Sequence, residues 1–159
     1  MNVLVMQSDQ RESPEKRESL RFRLQLRLAV IYPVRDGRPV HPIYHAKTHD
    51  IGMSGLSMVV DDNVFHEGEV TLLLTLPPVH PWAAQKIIEA TARMNYSIHS
   101  SKLNAFKIGM KILGFKADGG MLLQAALQRA SEQEGDARRQ AVGARSGANR
   151  NTDSRPRRR

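Results

Sequence analysis

Between residues 21 and 30 the chain alternates without a break. Phe22, Leu24, Leu26, Leu28 and Val30 occupy one set of positions, and Arg21, Arg23, Gln25, Arg27 and Ala29 the other. A helix repeats its apolar residues every three to four positions, whereas a period of two puts them on one side of an extended strand. Ten residues of strict alternation therefore predict a half-buried strand with a basic outer face. Such a strand must pair with others and cover its apolar side, so the rest of the chain has to supply a sheet.

It does so in short pieces. Asp36-Gly37-Arg38-Pro39 is a turn, which joins residues 22–34 and 40–50 as a hairpin or meander. Residues 56–60 read as a third strand, and the Leu- and Thr-rich run 70–76 as a fourth. The Pro77-Pro78-Val79-His80-Pro81 segment forbids regular structure. Two more strands are predicted over 86–98 and 104–115, the second alternating Phe106, Ile108, Met110 and Ile112 with Lys107, Gly109 and Lys111. Six short strands separated by turn signals predict a mainly β fold, a small six-stranded antiparallel barrel. Asp118 then serves as a helix cap, and Met121, Leu122, Ala125, Ala126 and Arg129 follow helical spacing to about Glu134. This C-terminal helix would close one end or one side of the barrel.

The 159 residues divide accordingly into a polar segment 1–16 expected to be disordered, a domain over 17–134, and an Arg-rich disordered tail 135–159. The charge follows this division. The net charge is +8, but residues 137–159 hold eight arginines and one aspartate, so +7 belongs to the tail and the body is close to neutral. The basicity is thus an appendage, and it argues against a nucleic-acid-binding domain. With no cysteine, disulfides and thiolate chemistry are excluded. The start lacks a signal-peptide pattern and no apolar run is long enough to span a membrane, which together predict a cytoplasmic protein.

Two motifs stand out against this scaffold. One is Arg17-Glu18-Ser19-Leu20-Arg21, entering the first strand. The other is His49-Asp50-Ile51-Gly52-Met53-Ser54-Gly55-Leu56, a turn between two strands. Their order and separation resemble a PilZ domain, the bacterial receptor module for cyclic di-GMP. That family carries Arg-x-x-x-Arg ahead of its first strand and Asp/Asn-x-Ser-x-x-Gly after its second. Arg17 and Arg21 match the first motif, and Asp50 and Gly55 the second, while Gly52 stands where the family usually has serine. The resemblance covers about residues 15–130 and implies a barrel followed by a helix.

It also implies a ligand site with no cofactor and no catalysis. Arginine grips phosphate with a rigid fork, donates to guanine O6 and N7, and stacks on a base, where lysine offers charge alone. By resemblance Asp50 would accept from a guanine edge, and the turn glycines would bring backbone N–H groups close to the ligand. Absence of the serine hydroxyl at Gly52 should cost roughly 0.5–1.5 kcal/mol, with Ser54 a partial substitute. Arg93 and Lys107 look similar to auxiliary contacts on the barrel face. The implied function is a cyclic di-GMP receptor whose Arg17–Arg21 lead-in orders over the turn on binding and changes the surface offered to a protein effector. The alternatives are a degenerate module that binds a protein without nucleotide, and a basic-tailed nucleic-acid-binding barrel. Aromatic residues are only 5% of the chain, too few for stacking platforms in the last case.

Other chemistries find little support. His41, His45 and His49 are four apart, which spans about 13 Å on a strand, beyond shared metal coordination. Ser54, His49 and Asp50 lack a nucleophile elbow. Arg23 and Arg27 repeat the spacing of Arg17 and Arg21 as a competing register, but their place inside the alternating strand makes them its solvated or partner-facing side. Trp82, between Pro81 and Ala83, is expected to be a packing anchor or loop plug.

Overall fold

The computed structural model describes residues 20–146; the segment 1–16, Arg17 and the tail beyond 146 lie outside the described residues. Eight strands and one helix follow in the order β1 (Arg27–Ile31), β2 (Val34–Arg35), β3 (Arg38–Pro39), β4 (Tyr44–Ile51), β5 (Gly55–Val60), β6 (Glu69–Leu76), β7 (Lys86–Ser100), β8 (Ala105–Phe115) and α1 (Gly119–Ser146). Six of them form a closed antiparallel barrel in the order β1-β4-β5-β8-β7-β6, with β1 closing back on β6 through the pairs Leu28–Leu74 and Val30–Leu72. The remaining pair, β2 and β3, is a separate two-residue hairpin turning at Asp36 and Gly37. Both turn residues have positive φ, 53° and 74°, the conformation that matches the twist of paired strands and that Asp-Gly adopts most readily.

Alternation places the core. Leu28 and Val30 of β1, Leu56 and Met58 of β5, Leu72 and Leu74 of β6, and Ile108 and Met110 of β8 all point inward and are buried. The start of α1 covers one end of the barrel with Leu123, Ala126 and Leu127, which join the same cluster. No helix among the described residues is long and apolar enough to cross a membrane.

Two boundaries differ from the sequence expectation. The first strand begins at Arg27, although Leu26 is as buried as its alternation requires and Phe22 and Leu24 pack partly against the core. The cause lies on the neighbouring strand β4 at Thr48, whose side chain is buried. Its hydroxyl accepts from Leu26 N (2.8 Å) and donates to Leu24 O, while Leu24 N bonds Phe22 O in a tight turn (2.9 Å). Thr48 N still donates to Leu26 O (2.9 Å), but beyond that bond the side chain takes over from the ladder, and burial alternates where the strand itself does not run. The helix, in turn, continues past Glu134 to Ser146, so residues 135–146 are helical rather than part of a disordered tail. Residues 131–141 are all exposed, so burial does not hold this part in place. Nucleation is already met by the docked first turns, and Ala, Arg, Gln and Glu propagate a helix well enough to carry it through Gly135.

Trp82 also departs from its expected role. It is 84% exposed and stacks on His80 with ring centroids 5.1 Å apart and planes 10° from parallel.

Candidate functional site

The candidate site is built around an irregularity in β4. Its pairing with β5 runs Thr48–Met58 and then Asp50–Ser57, so His49 is an extra residue, a β-bulge. The bulge lets Thr48 and Ile51 both face the interior while Asp50 points outward beside Ser57. The carboxylate accepts from Ser57 Oγ at 2.6 Å and from Arg21 Nη1 at 3.3 Å, and lies 3.6 Å from Lys107 Nζ. Its side chain is only 18% exposed. Burial pushes the carboxyl pKa up, but the Ser57 hydroxyl and the Lys107 and Arg21 charges outweigh it and hold the pKa below the ordinary carboxylate value.

Arg21 reaches this carboxylate because the chain before β1 is fastened to the end of β4. Phe22 N donates to Ile51 O (2.8 Å) and Ile51 N to Phe22 O (2.9 Å), a complete two-bond bridge. The turn beneath closes with Gly52 N donating to Gly55 O at 2.8 Å. Both glycines are set by close approach. A Cβ on Gly52 would collide with the Leu20 carbonyl oxygen, and one on Gly55 would sit 2.5 Å from Met110 O and 3.0 Å from Arg21 Nη2. The serine that the resembled family has at position 52 therefore cannot be seated here without moving the lead-in backbone.

Paired residues in neighbouring strands share a face, so the outer surface can be read across the sheet. One row runs Asp50, Ser57, Gly109, Tyr96, and the next runs Gly55, Lys111, Arg93. Lys107 lies on the same face, opposite Val59 and Ile98. Gly109 leaves room that the Tyr96 ring fills, since a Cβ there would run into the ring. The result is a patch in which Gly55 underlies Arg21 and Gly109 underlies the Tyr96 ring, flanked by Lys107 and Lys111, with Asp50 as the carboxylate at its centre. Such a surface pairs cations suited to phosphate with a carboxylate suited to an N–H-rich base edge.

Of the residues singled out in the sequence, Arg21, Asp50, Gly52 and Gly55 come together in one cluster. Ser54 contributes its carbonyl to Ile112 N at 2.9 Å. Arg93 is on the same outer face, two strands away, and forms an exposed pair with Glu69 at 3.4 Å. Arg17 lies outside the described residues. Arg23 and Arg27 are exposed. Four participants escaped the sequence reading: Ser57, Gly109, Lys111 and Tyr96. Gly109 left a signal, because a glycine inside an alternating strand marks a close approach by another group. Ser57 left a weaker one, as a polar residue at an outward position two places after Gly55.

No family model matches the sequence, and no curated protein matches it significantly. Solved structures do. MotI/DgrA, the inhibitor of motility of Bacillus subtilis and a PilZ-domain protein, superposes with a TM-score of 0.59 at 16% identity, over 76% of this chain and 52% of that one. The chain thus spans about half the length of that protein. The PilZ domain of YcgR from Escherichia coli, solved with c-di-GMP, gives a TM-score of 0.47 at 11% identity over 76% of this chain and 98% of that one. The order of strands in the barrel, the helix that follows and the superposition on MotI/DgrA agree: this chain has a PilZ-like fold.

Proposed function

We propose that this chain is a non-catalytic receptor for cyclic di-GMP, bound on the outer barrel face around Asp50. The observation that carries the reading is the convergence of Arg21, Asp50, Ser57 and Lys107 beside Gly55 of β5 and Gly109 of β8. A cyclic dinucleotide presents two phosphates and two guanines, and this face offers a guanidinium, two lysines, an aromatic ring and a carboxylate within one patch. In the bound state Asp50 accepts from the guanine N1–H and amine, Arg21 turns from Asp50 to a phosphate, and Arg17 supplies the second clamp. Gly52, Ser54 and Gly55 form the turn against which the ligand rests, and Arg93 is released from its weak pair with Glu69 to extend the cationic rim. Movement of the lead-in then alters the surface seen by a protein effector in the cytoplasm.

A second reading has its own observation. The lead-in backbone already sits on Gly52, and Arg21 is already engaged by Asp50, so the site is satisfied without a ligand. On this reading the chain is a protein-interaction module of the same fold that binds no nucleotide.

Titration calorimetry with cyclic di-GMP on the wild type, Arg21→Ala and Asp50→Ala separates the two. Each variant removes a charge-assisted contact worth about 1.5–3 kcal/mol, so a loss of roughly tenfold or more is expected in both. Absence of binding to the wild type at high ligand concentration would refute the receptor reading and favour the second.

A further inference from the structure

At the helix-covered part of the barrel lies a surface that the ligand site does not use. The loop between β6 and β7 carries Pro77, Pro78 and Pro81, which restrict its backbone, and a turn closed by Ala83 N donating to His80 O at 2.9 Å. This stiffened loop holds two apolar side chains out into solvent, Val79 at 54% and Trp82 at 84% exposure, and Met121 on the first turn of α1 is 71% exposed. Tryptophan is costly to leave in water, and this one is the single tryptophan of the chain. Beneath the loop, Pro78, Val79 and Ala84 meet Leu122 of α1 in a shallow depression, and among the described residues the charged groups lining it are Lys86 and Arg129, both cations.

We infer that this loop is a membrane-docking element, which sets Trp82 and Val79 into the interface of an anionic lipid surface while Lys86 and Arg129 meet the headgroups. The distribution of side chains selects lipid over other occupants. Trp82 belongs at the boundary between apolar and wet phases, where its ring is buried and its N–H stays hydrated. Apart from His80, the loop around it carries Val79, Ala83 and Ala84, aliphatic side chains that suit acyl chains and give nothing to a nucleic-acid base. One ring face is already covered by His80, which halves its use as a stacking platform. The charge is complementary as well: α1 leads from Arg129 toward the Arg-rich sequence at 137–159, whose net charge is +7. An apolar anchor and a polybasic segment are each weak on a membrane and effective together.

Because Trp82 is the sole tryptophan, its emission reports directly on the loop. Full-length protein is mixed with vesicles of phosphatidylglycerol and phosphatidylcholine, or of phosphatidylcholine alone, and followed by fluorescence and co-sedimentation. The expected result is a blue shift with the anionic vesicles only, lost in Val79→Asp, with vesicle affinity reduced roughly tenfold or more in Val79→Asp and Trp82→Ala. Both side chains are exposed, and circular dichroism verifies that the variants fold. Sedimentation with unchanged emission, insensitive to Val79→Asp, would mean that the arginines act alone and would overturn the proposal. So would a failure to sediment, or a shift produced by single-stranded DNA and not by vesicles.

Discussion

Replacing Gly52 by alanine tests whether the lead-in is held by close backbone approach. The added Cβ would collide with the Leu20 carbonyl oxygen and come within 3.3 Å of the Arg21 side chain. A backbone oxygen cannot rotate away as a side chain does, so residues 20–22 must lift from the turn. Lifting them breaks the two bonds between Phe22 and Ile51, each worth about 0.5–1.5 kcal/mol, and the Arg21–Asp50 pair, worth about 0–1 kcal/mol. The expected loss is thus about 1–4 kcal/mol, and Gly52→Ser should behave like Gly52→Ala. Gly114→Ala is the control. That glycine lies in β8, but its Cβ would meet nothing within 4 Å, so its substitution should shift stability by no more than about 1 kcal/mol in either direction. Urea unfolding of the three variants measures the difference, and amide hydrogen exchange at Phe22 and Ile51 locates it. If Gly52→Ala unfolds like the wild type and both amides keep their protection, the account of Gly52 is wrong.

Two further perturbations probe the same region. Asp50 has its carboxyl pKa lowered in the folded state, so its contribution is fully present above the ordinary carboxylate range and lost as pH falls through the lower folded value. Acid unfolding monitored below about pH 4 should therefore be less steep in Asp50→Asn; an unchanged acid limb would contradict the pairing with Ser57, Lys107 and Arg21. Thr48→Val keeps the shape but leaves Leu26 N and Leu24 O without their partner, and should cost about 1–3 kcal/mol in chemical denaturation, whereas Thr48→Ser restores most of it. Equal stability of the two variants would show that the hydroxyl is not bridging those groups.

What the sequence disclosed, and what it hid, follows from the range of each interaction. Strict alternation and Asp-Gly or proline punctuation are local signals, and they located the six barrel strands and the inward positions of Leu28, Val30, Ile108 and Met110. The turn holding Asp50, Gly52 and Gly55 was legible for the same reason, and its link to Arg21 came through a resemblance that paired two distant segments. The bulge at His49 was not legible, since it is defined by register against β5 and not by composition. Nor was the bridging of Leu26 N and Leu24 O by the Thr48 hydroxyl, twenty-odd residues away in sequence. Trp82 was misjudged because aromatic residues usually bury, and only the path of the proline-stiffened loop shows that this one does not. The helix was cut short at Glu134 by an argument from burial, where propensity propagating from a docked first turn decided the matter.

Closure of the barrel has a consequence for how other chains can meet it. Over the shared registers of the described residues each barrel strand has a neighbour on both sides, with β1 and β6 sealing the last seam, so the closed wall offers no edge to an incoming strand; the end of β7 beyond Arg93, which pairs with β8 and not with β6, projects past that closure. Recognition by backbone templating is thereby barred along the closed wall. Contacts with the wall are made side chain to side chain, and their specificity is written in its few outward residues.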